Sequence, residues 1–434
     1  MYPGRSLSAL LVLVSLTAGC EVVHFIGENT QPACQRDGDC APSSICDAQR
    51  GSCVTPPSTA MLDILFVIDN SSSMVGRQKG LLASIGGFLR KLDANPIAVS
   101  YNIGIVTSDI GTDVAVDQQW GGGSPSCDTF AGDDGVLQAT PCTSRPGLSP
   151  ESLALCQLAC PDPTFLPFNG GRFIAKSGLV TNVPFDLRID PPDVKVDLGP
   201  QHAFGCLAVL GDSGCGIEGQ LEAARRALDG HRPENIGFLR PDSLVAVIFM
   251  TDEDDCSIQP ARRKEFSPLS FNCPLPSQNA LPGCFNPDFR CLASDVVCDE
   301  PLDAAGDKHG CRERADSLLE PVQTYVDFFT KLRPANRIFL GGIWTLPALE
   351  QGGQLSVATM AGGGAGSDGL NRLSAPCSGV ISTYPGAPQL RLSKLIQQFK
   401  VHLEADLCDA QGYPAALERM AALILNQAGV AAAP

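Results

Sequence analysis

Unbroken apolar runs of strand length constrain this chain more than any other feature. They are "ILFVI" (Ile64 to Ile68), "LVAVIFM" (Leu244 to Met250) and "IFLGGIW" (Ile338 to Trp344). A run with no polar alternation has no face to offer water, so it belongs in a sheet covered on both sides, as parallel sheets are. "YNIGIVTSD" reads as a further strand. Between the runs the period changes to that of a helix: Leu81, Leu82, Ile85, Phe88, Leu89 and Leu92 recur at spacings of three and four. "IEGQLEAARRALDG" ends a helix on glycine. "ADSLLEPVQTYVDFFTKL", "LSKLIQQF" and "YPAALERMAALILNQA" read as further helices. Strands alternating with helices predict an α/β fold, a doubly wound and mostly parallel Rossmann-like sheet, over 61–427. Two disulfide-rich insertions, at about 111–210 and 256–312, interrupt it.

The amino terminus addresses the compartment. Arg5 precedes an apolar stretch, "ALLVLVSL", too short to span a bilayer, which needs about 20 apolar residues. It stops at Leu16-Thr17-Ala18-Gly19-Cys20, which resembles the lipobox of bacterial lipoproteins. That resemblance implies removal of residues 1–19, lipidation of Cys20, and a bacterial cell-envelope protein held to its membrane by acyl chains alone, on the periplasmic or the cell-surface side. Nineteen cysteines less Cys20 leave an even eighteen, as expected of disulfides in an exported chain. They fall into even groups. Cys34, Cys40, Cys46 and Cys53 form a small module over 34–53, between a spacer at 20–33 and a proline-stiffened linker at 54–60. Two groups of six follow, the first including Cys206 and Cys215, and Cys377 and Cys408 close the count. The five histidines form no ligand-spaced pair with cysteine, which argues against zinc. A formal charge of -16 argues against nucleic acid and against adhesion to anionic lipid.

The chemistry is concentrated where the first apolar run ends, in Asp69-Asn70-Ser71-Ser72-Ser73. In open α/β sheets ligands bind where strand carboxyl ends meet loops. Alternate residues Asp69, Ser71 and Ser73 of a tight loop can converge one carboxylate and two hydroxyls on one point, a donor set suited to a hard cation. Asp252, in "FMTDEDD", supplies a second carboxylate after another buried strand. The Glu253-Asp254-Asp255 stretch beyond it reads as a solvated acidic loop.

This pattern resembles the von Willebrand factor type A (VWA) family, whose metal-ion-dependent adhesion site opens with Asp-x-Ser-x-Ser between a buried strand and an amphipathic helix. The resemblance covers roughly 61–110, 205–255 and 315–427, and a less specific similarity is to Gram-negative lipoproteins carrying such a domain. It implies a site of Asp69, Ser71, Ser73 and Asp252. The family adds a threonine from a middle loop; "LGDSGCGIEGQLEAA" has none, and Asp212 or Ser213 stands in for it. The implied cofactor is Mg2+, with Ca2+ or Mn2+ as alternatives. The implied function is protein binding, a carboxylate of the partner completing the metal's shell.

Two other classes are weighed against that expectation. A structural envelope scaffold with a purely structural metal needs the same ligands. A metal-dependent hydrolase needs more: haloacid-dehalogenase-like chemistry wants a carboxylate at position 71, where the chain has serine, and a serine nucleophile needs a positioned base that no histidine motif supplies. The expectation is therefore a binding module and not an enzyme, with the insertions framing the site.

Overall fold

The computed structural model describes residues 59–71, 73–94, 99–111, 132–162, 168, 171–178, 180–184, 187–190, 194–197, 199–262, 290–300, 306–346, 389–407 and 412–430, with the strand pieces 45–47, 52–54, 348–349, 355–360 and 372–373. The expected signal, Cys20, Cys34, Cys40, Cys377 and Cys408 lie outside the described residues. The chain divides into two compact units, Met1–Pro57 and Ser58–Pro434. In the first, Ile45–Asp47 and Ser52–Val54 pair antiparallel, with Cys46 and Cys53 in register.

The second unit is a mixed α/β structure built on a seven-stranded, mostly parallel sheet. Its elements in chain order are β1 (Ala60–Ile68), α1 (Val75–Asp93), β2 (Val99–Thr107), α2 (Pro150–Ala159), β3 (Ile174–Ser177), β4 (Val180–Thr181), α3 (Gly199–Ala208), α4 (Gln220–Leu228), β5 (Leu244–Met250), α5 (Val322–Leu332), β6 (Ile338–Trp344), α6 (Leu390–Ile396), β7 (His402–Asp406) and α7 (Gly412–Gln427). The strand order is β7-β6-β5-β1-β2-β3-β4. Neighbours from β7 to β2 pair in parallel, and the β3-β4 hairpin closes one edge antiparallel.

Side-chain alternation along β1 distributes the core. Leu62, Ile64, Phe66 and Ile68 face Leu81, Ile85 and Phe88 of α1, Phe204 of α3 and Leu417, Met420 and Ile424 of α7. Leu65 and Val67 face the other layer, with Leu221 of α4, Tyr325 and Phe329 of α5 and Leu392 and Leu395 of α6. Phe66 anchors the first layer, its ring centroid 5.7 Å from that of Phe88 and 4.9 Å from that of Phe204. Helix α1 lies close against α7 because Gly80 has no side chain: a Cβ there would meet Tyr413 Cε2 at 2.6 Å.

Three features differ from the sequence expectation. Parts of the segment placed in the first insertion pack into the core: Ile174, Val183, Ala203, Phe204 and Leu207 are buried in the α1 layer. Helix α5 begins only after Pro321, which occupies its N-cap in an extended conformation; the preceding "ADSLLE" is not helical, since proline is suited to a helix start and not its interior. The terminal segment also contains β7, a partly exposed edge strand.

Disulfides staple both cysteine-rich regions internally, as their even counts allow. Cys142–Cys156 and Cys160–Cys206 hold α2 and α3, and Cys256–Cys291 and Cys298–Cys311 hold the second region. Cys215 is disulfide-bonded too. Among the described residues no helix is long and apolar enough to cross a membrane.

Candidate functional site

The sheet register brings the site together. Ile68, the last residue of β1, lies opposite Thr107 of β2 and Met250 of β5, so Asp69, Ser108 and Thr251 leave the sheet at one level. The strand order reverses between β1 and β5, the crevice where open α/β sheets place ligands. Backbone bonds then fix the loops. Asp69 N donates to Met250 O at 2.9 Å, and Gly219 N donates to Ser108 O at 2.9 Å. Gly214 N donates to Asn70 O at 2.9 Å, an approach that requires glycine, since a Cβ there would lie 2.3 Å from Asn70 Oδ1.

Asp69 is fully buried and satisfied on both oxygens. Its Oδ1 accepts from Ser71 N at 2.7 Å and its Oδ2 from Thr251 Oγ1 at 2.8 Å. Ser71 Oγ and Ser73 Oγ are 3.2 Å apart, and Ser73 Oγ donates to Asp252 Oδ1 at 3.0 Å. The structure thus gathers Asp69, Ser71, Ser73 and Asp252 around one point. Asp212 and Ser213 are engaged elsewhere. Asp212 Oδ1 accepts from Ser149 N at 3.4 Å, and Ser213 Oγ donates to Gly147 O at 2.8 Å, both supporting the turn before α2.

Sequence reasoning missed the residues that complete the cluster. Glu218, 1% exposed, faces Asp69 from the loop before α4. Burial, with the Asp69 and Glu253 charges and a hydrogen bond shared with Asp69, pushes its carboxyl well above the usual range. Its Oε2 accepts from Gln220 Nε2 at 3.1 Å, while its Oε1 accepts from no donor among the described residues. Arg77, on the first turn of α1, places NH1 2.7 Å from Asp252 Oδ2 and 3.0 Å from Ser73 O. Burial raises the Asp252 carboxyl to about 6, against the opposing pull of Arg77. Gln78, also on α1, donates to Asp69 O at 3.3 Å and to Gly211 O at 2.9 Å and accepts from Leu210 N at 3.2 Å, tying two loops together. The signal for these two residues was present in the sequence: Arg77 and Gln78 stand at the head of the apolar stripe of α1, where polar residues are out of place unless they have partners.

The acidic stretch after Asp252 is largely buried, with Glu253 half-buried. Asp254 and Asp255 are 6% and 0% exposed. Asp255 Oδ2 accepts from Arg391 Nε at 2.9 Å, and its Oδ1 accepts from Leu221 N at 2.9 Å and from Ser257 Oγ at 2.7 Å, which fixes the start of α4. Arg391, 1% exposed, also places NH1 2.9 Å from Asp295 Oδ2. The buried Arg391 thus pairs with Asp255 and Asp295, so that burial does not leave the Asp255 charge unpaired. Asp254, whose Oδ2 has no partner among the described residues, is pushed up to about 8 by burial.

The donors fit a hard cation. Octahedral coordination at magnesium-oxygen distances of about 2.1 Å puts adjacent ligands roughly 3 Å apart. The Ser71–Ser73 and Ser73–Asp252 separations of 3.2 and 3.0 Å match such edges. Among the described residues no three of His, Cys, Asp and Glu form a metal-holding group. Among the described residues, the buried carboxyl groups of Asp69, Asp252 and Glu218 are set against the guanidinium of Arg77, an imbalance that favours a bound cation. No family model matches the chain, and no curated protein matches it.

Proposed function

We propose that this chain is an exported, lipid-anchored binding protein of the bacterial cell envelope whose doubly wound, VWA-like domain engages a protein partner through a divalent cation. Asp69, Ser71, Ser73 and Asp252 hold the cation, Mg2+ in preference to Ca2+ or Mn2+. The observation that carries this reading is the placement of Ser73 Oγ 3.2 Å from Ser71 Oγ and 3.0 Å from Asp252 Oδ1, beside buried Asp69 at the reversal of strand order. Hydroxyls add no negative charge, and Arg77 adds a positive one. A cation held there keeps enough charge to accept a carboxylate from the partner.

The chain's own residues do the positioning. Thr251 orients Asp69, Gln78 fixes the loop on either side, and Arg77 orients Asp252. The disulfide from Cys256 ties the loop carrying Asp252 to the second insertion, which favours the insertions as the partner-selecting frame.

Water-proton relaxation with Mn2+ tests this function. Adding an aspartate-containing peptide to the Mn2+-loaded chain is expected to lower the relaxation enhancement by displacing metal-bound water, while the amide analogue leaves it unchanged. Equal responses to the two peptides would refute a carboxylate-accepting site.

A further inference from the structure

Each carboxyl group of the cluster has at least one oxygen held by a side chain outside the serine loop. Asp69 Oδ2 is held by Thr251, Glu218 Oε2 by Gln220, and Asp252 Oδ2 by Arg77. The first two pins are neutral donors. The third is a guanidinium whose side chain is 3% exposed and whose NH1 also donates to Ser73 O. Releasing Asp252 Oδ2 to a cation would break this buried ion pair, which is unfavourable. Asp252 Oδ1, by contrast, already faces Ser73 Oγ and the converging hydroxyls.

Cations differ in what they ask of a carboxylate. Calcium takes six to eight oxygens and commonly uses both oxygens of one carboxylate, whereas magnesium holds to six ligands in octahedral geometry. Resting on the cation-binding reading above, we infer that Arg77 sets the cation preference of this site: by holding Asp252 Oδ2 it restricts Asp252 to one-oxygen coordination and favours a small octahedral cation over calcium. Arg77 is thus a positioning residue that acts through Asp252. Its place in the first turn of α1, four residues beyond Ser73, ties that preference to the loop that supplies the hydroxyls.

The test is calorimetric titration of MgCl2, CaCl2 and MnCl2 into the full chain and into Arg77→Met and Arg77→Lys variants, each checked for folding by thermal unfolding. The wild type is expected to bind Mg2+ and Mn2+ more tightly than Ca2+. Arg77→Met is expected to shift the ratio of affinities towards Ca2+ by about tenfold or more, because the freed oxygen permits two-oxygen coordination. Arg77→Lys keeps the charge and is expected to retain most of the preference. If Arg77→Met folds poorly, Arg77→Gln must shift the ratio in the same direction, since it removes the charge that holds Asp252 Oδ2 against a cation. Variants that bind cations with an unchanged ratio overturn this inference and leave the cation site standing. A folded wild type that binds none of the three overturns both.

Discussion

Replacing Arg391 with methionine isolates the buried network behind the site. The guanidinium, 1% exposed, contacts Asp255 Oδ2 and Asp295 Oδ2 at 2.9 Å each and Glu320 O at 2.5 Å. Methionine fills much of the volume and supplies no donor. Asp255 keeps Leu221 N and Ser257 Oγ, and Asp295 keeps Ser317 Oγ at 2.7 Å, but neither keeps a positive charge. Removing one partner of a buried ion pair costs about 3–5 kcal/mol, most of it from the charge left behind. Denaturant unfolding at pH 7 is expected to show that loss in the midpoint, with the slope unchanged. Adding Asp255→Asn and Asp295→Asn to Arg391→Met removes the stranded charges and is expected to recover at least half of it. A loss below about 1 kcal/mol for the single variant, or no recovery in the triple variant, would refute the claim that this acidic stretch depends on Arg391.

Three further outcomes follow from the packing and the titrating groups. Phe66→Ala empties the contact with Phe88 and Phe204 and is expected to cost about 4 kcal/mol in the same assay. Ser149→Ala removes the side-chain acceptor for Ser152 N at the start of α2 and is expected to cost about 1 kcal/mol. Burial opposes ionisation of Glu222, yet hydrogen bonds from Arg225 and Arg226 hold its carboxyl below the usual value. Its stabilisation is therefore full above the unfolded pKa of about 4.3 and is lost as pH falls through the lower folded value. The gap between wild type and Glu222→Gln, about 2 kcal/mol at neutral pH, is expected to close progressively below about pH 4; a gap that does not vary with pH would contradict it.

The central strands and helix α1 were legible in the sequence because their cores are local patterns. Ile64 to Ile68 has no polar face, and the stripe from Leu81 to Leu92 has a single apolar one. The convergence of Asp69, Ser71 and Ser73 was legible for the same reason, since it lies within five consecutive residues. What was illegible depends on distant partners. Asp255 reads as solvated because Arg391, which neutralises it, lies 136 residues away in sequence. Glu218 carried no spacing signal, and its place beside Asp69 depends on the anchoring of its loop to Ser108 and Asn70. The β3-β4 hairpin and α3 are short elements among glycines and cysteines, and only their packing on the sheet marks them as core. Asp212 and Ser213 were candidates by position in the loop, but the turn beneath α2 engages them instead.

The cation at the end of β1 is tested most directly by calorimetric titration of Mg2+ into the wild-type chain beside an Asp69→Ala, Ser71→Ala double variant. Saturable binding that the double variant loses while its fold is kept is the predicted result. Equal binding by both chains, or none by a folded wild type, would contradict the account.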